Sequence, residues 1–137
     1  AMALNEKLPP IKGIYYFSYA CDATILADDG TRSLDPELGG GMYKVSGARL
    51  CTYEGVTPSG YVIDEKWQAN DGLVNTYSAL VPIGAPSVDY NADSVTTGIW
   101  NVMPVMRGNH STLQGGMTKA LNGRIFFVDL LSMINSL

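Results

Sequence analysis

Apolar residues along this 137-residue chain fall in blocks separated by long polar, glycine-rich stretches. The run "GIYYFSYA", residues 13–20, is almost wholly apolar and aromatic. A run of that length and make-up reads as a strand covered on both faces, the kind found in parallel sheets. Residues 98–106, "GIWNVMPVM", read the same way, with Pro104 near the end because proline has no ladder N–H to give. From Thr118 the pattern becomes helical to the end. Phe127, Leu130, Leu131, Ile134 and Leu137 recur at the i, i+3, i+4, i+7 spacing of one face. A short helical pattern over residues 2–8 stops at Pro9 and Pro10. It reads as the end of a helix belonging to something longer. "DGLVNTYSAL" predicts another short helix with Asp71 near its N-terminus, before Pro82 and Pro86 break the chain.

Residues 21–70 carry strong turn signals, "ADDGTRS", "PELGGG" and "TPSG", and predict a loop-rich stretch with little regular structure. Fifty such residues inside a compact domain point to a functional insertion. The inventory is therefore two or three strands and two helices. Doubly covered strands need neighbours on their edges and helices on both faces. That predicts an α/β fold in which residues 1–137 are the C-terminal segment of a single larger domain, incomplete as a stand-alone unit. The rival is an irregular small fold that manages without further strands.

Composition narrows the function. With 46% hydrophobic and 16% charged residues the chain has the make-up of a folded, core-burying protein. A net charge of −4 argues against a nucleic-acid partner, and no basic run suggests anionic lipid. No apolar stretch is long enough to span a bilayer, and the first ten residues lack the pattern of a signal peptide. Cys21 and Cys51 fit no zinc-ligand spacing. They read as small buried apolar residues, and whether they pair stays open.

The candidate chemistry rests on "WQANDGLVNTYS", residues 67–78, and "RGNHS", residues 107–111, which holds the sole histidine, His110. Acyl transfer by a nucleophile needs an attacking hydroxyl, an imidazole and a carboxylate that fixes the imidazole's tautomer. In α/β-hydrolases these come in the order nucleophile, acid, histidine, each on a loop after a strand. Asp71 precedes His110, and His110 follows an apolar strand. The nucleophile is missing. Ser46, Ser59 and Ser87 all lack the small-x-Ser-x-small turn it requires, so a serine would have to lie upstream of residue 1. An ordinary turn and an ordinary surface histidine explain the same residues from spacing alone.

The stretches "LNEKLPPIKGIYYFSYACDAT", "PELGGGM", "WQANDGLVNTYS", "GIWNVM" and "NH" stand in this order and add a resemblance. Together they resemble the C-terminal third of bacterial true lipases of the α/β-hydrolase fold, the thermoalkalophilic and staphylococcal type. The resemblance covers most of residues 3–110 and continues faintly through the last helix. It implies a carboxyl-ester hydrolase with Asp71 as triad acid and His110 as triad base, acting on an ester or triacylglycerol. It implies an extracellular protein, and an N-terminal part of the same protein as the partner that brings the serine and oxyanion donors. The family's calcium site beside the catalytic histidine uses a glutamate and an Asp-Pro, and those offsets here fall on Thr112 and Met117. Calcium wants several carboxylates, so the site is expected to be lost. The family's zinc ligands all lie upstream, so no cofactor and no metal ligand are expected in this chain. A non-catalytic extracellular binding or structural module, or a degenerate hydrolase, is the alternative reading.

Overall fold

The computed structural model describes residues 5, 7–115 and 122–137. In chain order come β1 (Tyr16–Ser18), β2 (Cys21–Asp22), β3 (Thr24–Leu26), β4 (Arg32–Leu34) and helix α1 (Tyr43–Leu50). Then follow β5 (Gly55–Val56), β6 (Val62–Ile63), a 3-10 turn (Glu65–Trp67), α2 (Thr76–Leu80) and β7 (Ser87–Asp89). The chain closes with β8 (Trp100–Val102), β9 (Met106–Arg107), a 3-10 turn (Thr112–Gln114) and α3 (Gly123–Asn135).

The two apolar runs pair with each other. β8 lies between β1 and β7 in a three-stranded parallel sheet, with Tyr16 opposite Trp100 and Ser87 opposite Trp100 on the other side. Beyond it β2 pairs with β9, again in parallel, Cys21 opposite Met106. Backbone hydrogen bonds from Met103 N to Ser18 O and from Met106 N to Ala20 O carry the ladder across the gap. Pro104 sits in that gap, where its missing N–H breaks the strand expected to run on to Met106. This β1/β2–β8/β9 ladder ends at Arg107, three residues before His110.

Residues 21–70 are more structured than the turn signals suggest. Two of those signals are hairpin turns. "ADDGT" closes β3 on β4 with Gly30 at φ +84°, and "TPSGY" closes β5 on β6 with Gly60 at φ +81°. Helix α1 was not expected at all. Its sequence, YKVSGARL, contains a glycine and a serine and shows no clean apolar stripe, so local pattern conceals it. Contact with Leu34 explains the glycine. A Cβ on Gly47 would lie 2.7 Å from the Leu34 side chain, so only glycine lets α1 approach β4.

The terminal helix also departs from expectation. Its start at Thr118 and the helical segment over residues 2–8 fall wholly or largely outside the described residues. Within α3, Asn122 caps the N-terminus by accepting from Arg124 N and Ile125 N. The face turned inward is Phe126, Leu130 and Met133, which line an apolar groove with Tyr19, Tyr90 and Met103. Phe127, Leu131, Ile134 and Leu137, expected on the buried face, are exposed. The buried stripe is thus turned by about one position from the one the spacing predicts.

Among the described residues few large apolar side chains are buried; Trp67 and Tyr43 are the main ones. Trp67 packs edge-on against Tyr61 and Tyr77, which accounts for it as a core residue. The largest fully buried side chains are polar: Asn70, Asn101 and Thr112. Asn101 stands at the centre of β8. Its Nδ2 donates to Thr96 O at 2.8 Å and Tyr16 O at 3.1 Å, and its Oδ1 accepts from Thr96 N at 3.1 Å. Asn101→Ala would orphan the Thr96 N–H and the Tyr16 carbonyl. It is expected to lower unfolding free energy by about 1–3 kcal/mol, read by urea denaturation at constant slope.

Candidate active site

Asp71 is held before it meets any partner. Its backbone N–H donates to Val74 O, and its Oδ1 accepts from Leu73 N at 2.9 Å and Val74 N at 2.8 Å. Those bonds make residues 71–74 a tight turn rather than the first turn of a helix. This is why α2 begins at Thr76 and not at Asp71, as the sequence suggests. Asn70, fully buried, shapes the turn from the other side. Its Oδ1 accepts from Gly72 N, and its Nδ2 donates to Gln68 O and Gly47 O. Gly72 has φ +100°, a backbone region that L side chains rarely adopt.

His110 lies just past the end of the β8/β9 ladder. Gly108 N donates to Asp22 O, the last rung. A Cβ on Gly108 would sit 2.7 Å from Thr112, so the chain can turn back on itself only with glycine there. Asn109 then pins the loop. It accepts at Oδ1 from Ser111 N, and its Nδ2 donates 2.8 Å to Leu38 O, 71 residues away.

The two loops meet at two points. His110 N donates to Asp71 O at 2.9 Å, and His110 Nδ1 lies 2.8 Å from Asp71 Oδ2. With Oδ1 occupied by backbone donors, Oδ2 is the oxygen left for the ring. The Asp71 side chain is 13% exposed and that of His110 37% exposed, so the carboxylate is shielded while the imidazole remains reachable. A carboxylate on Nδ1 fixes the tautomer that leaves Nε2 free to accept a proton. Asp71 and His110, 39 residues apart, are thus brought together. The apolar groove beneath α3 contains neither of them.

Several contributors have no signature in the sequence. Tyr43 hydrogen-bonds Ser111, the residue after His110, and Ser46 donates 2.6 Å to Gly72 O. Arg107 forms a 2.7 Å ion pair with Asp35 and also donates to Thr24 O, tying the base of the histidine loop to β3 and its neighbour. No spacing rule links positions 68 or 72 residues apart.

The fold is similar to that of a C-terminal part of bacterial lipases and esterases. No family model and no curated protein matches the chain. Among solved structures, EstA from Clostridium botulinum superposes with a TM-score of 0.81 at 26% identity, over 98% of this chain and 32% of its own. Staphylococcus hyicus lipase gives 0.74 at 25% identity, over 98% and 33%. Lipase 1 from Pelosinus fermentans gives 0.73 at 27%, over 95% and 35%. The chain spans about a third of the length of each.

Cys21 and Cys51 are both free and buried. Burial, with the negative charges of Asp71 and Asp22 nearby, pushes the Cys21 thiol up from 9.0 to about 11. A thiol whose folded value is raised stabilises the fold fully below its unfolded value and loses that contribution as pH rises through the folded one. Stability is therefore expected to fall between pH 9 and 11. In a Cys21→Ala variant followed by urea unfolding across that range, this part of the decline should disappear.

Proposed function

We propose that this chain supplies the acid and the base of a serine carboxyl-ester hydrolase, a lipase or esterase whose nucleophile is carried by an upstream part of the same protein. The observation that carries the reading is the 2.8 Å bond between His110 Nδ1 and Asp71 Oδ2, on a fold shared with lipases and in the chain order such enzymes use. Asp71 holds the Nδ1 proton. Nε2 takes the proton of the serine hydroxyl as its oxygen bonds to the ester carbonyl carbon. The same proton passes to the departing alkoxide, which leaves as the alcohol. Water next loses a proton to Nε2 and attacks the acyl carbon. That proton returns to the serine oxygen as the carboxylic acid departs. Without the serine this chain is inactive by itself.

The partner surface is the sheet edge and the exposed apolar faces beside it. β7 exposes Val88, β1 is flanked by exposed Ile14 and Tyr15, and α3 exposes Leu131. An unpaired edge of this kind is normally covered by another strand or helix. The substrate class is an ester or triacylglycerol, and the setting is extracellular, both by likeness to the lipases. Among the described residues no helix is long and apolar enough to cross a membrane.

The residues beside His110 do not fit calcium. Thr112 stands where the lipase family has a carboxylate, and its hydroxyl is committed to Asn109, accepting from its backbone N–H at 2.9 Å. Met117 lies outside the described residues. The His110 loop is instead held by direct hydrogen bonds. Calcium added to chelator-treated protein should leave the melting temperature unchanged, and a rise of several degrees would show a metal site here.

The decisive assay is hydrolysis of a chromogenic ester by the intact protein. His110→Ala is expected to lower kcat by roughly 10⁴–10⁶-fold and Asp71→Asn by roughly 10⁴-fold. Equal rates for His110→Ala and the unaltered protein would remove the histidine from the mechanism and favour a non-catalytic module.

A further inference from the structure

Resting on the hydrolase reading, the geometry points to Tyr43 as a positioning residue that keeps the acid loop and the base loop in register. Tyr43 is the first residue of α1 and is 9% exposed. Its ring lies against the acid loop. A Cβ on Gly72 would sit 2.6 Å from Tyr43 Cβ and 3.0 Å from its Cγ, so Gly72, the residue after Asp71, lies directly on this side chain. Its hydroxyl hydrogen-bonds Ser111 Oγ, on the residue after His110. One side chain therefore touches the immediate neighbour of each proposed catalytic group, although the two lie 39 residues apart in the chain.

The rest of α1 makes Tyr43 a fixed reference. Ser46, one turn on, donates 2.6 Å to Gly72 O, and Gly47 O accepts from Asn70 Nδ2 at 3.3 Å. Residues on both sides of Asp71 are thereby anchored to one helix. The Tyr43 hydroxyl extends that anchorage across to the histidine loop. The Asp71–His110 bond aims the ring, but the ring's position also depends on where its backbone sits, and Ser111 governs the far side of that backbone. A catalytic group displaced by about 1 Å can cost up to about 10²-fold in rate, so a contact of this sort has kinetic leverage without touching substrate.

The test is the intact protein with Tyr43→Phe, Ser111→Ala and both together. Tyr43→Phe keeps the ring on Gly72 and removes only the hydroxyl. Rates are taken per active site titrated with an irreversible ester inhibitor, so unfolded protein does not count. Each single variant is expected to lose about 5–50-fold in kcat with KM within about twofold, and the double variant to lose no more than the worse single one. The downfield Nδ1–H resonance of His110, assigned through His110→Ala, should shift or broaden in Tyr43→Phe. Unchanged kcat with an unmoved resonance overturns the inference while leaving the hydrolase reading standing. Losses that multiply in the double variant also overturn it. Full activity of His110→Ala overturns the hydrolase reading, and this inference with it.

Discussion

A single contact between distant loops organises this molecule: the carboxylate of Asp71 against the imidazole of His110. Neither group belongs to a helix or strand. A loop brought into the interior must find partners for backbone groups that a ladder would otherwise satisfy. This explains why Asn70 and Thr112, rather than leucines, are buried to the hilt near the site. Asn70 serves the acid turn, Asn109 and Thr112 the base loop, and Asn101 the strand that leads to it. Each has several well-formed bonds, as a buried polar group requires.

The scaffold delivers the two groups by different means. His110 is placed by the parallel ladder, which stops at Arg107 and releases the chain where Gly108 permits a reversal. Asp71 is placed by α1, whose glycine and serine fit it closely against Gly72 and Asn70. The side chains that determine the approach are small, and the glycines at 47, 72 and 108 leave room for Leu34, Tyr43 and Thr112 to pack directly on the backbone. Large apolar residues, by contrast, are exposed at many points, on α3 and beside the sheet but also at Leu73 and Val74 in the acid turn and at Val45 on α1.

Legibility followed the physical range of each determinant. The two apolar runs were visible as strands that pair in parallel, but each strand is only three residues long, and Ile14, Tyr15 and Val105 of those runs are exposed where cover on both faces was expected. The turns at "ADDG" and "TPSG" were visible, since glycine at positive φ is a local demand, but the short strands they join into hairpins were not. Helix α1 was not visible, because its stability comes from packing against Leu34 and Gly72 and not from propensity. The face of α3 was misjudged because Phe126, Phe127, Leu130 and Leu131 offer two overlapping apolar stripes, and only Tyr19 and its neighbours select one.

By itself, then, the chain's order of residues determined the short-range facts: where backbones turn, which runs form the central strands, and which two residues offer carboxylate–imidazole chemistry. Tertiary structure decided what no window along the chain can contain, namely that Asp71 reaches His110 with the correct oxygen free, and that Tyr43, Ser46, Ser111 and Asn109 hold them there. The reason is one of distance. Turn geometry and hydrophobic period are set within a few residues, whereas a contact between positions 39 or 68 apart exists only once the intervening chain has folded and closed the loop.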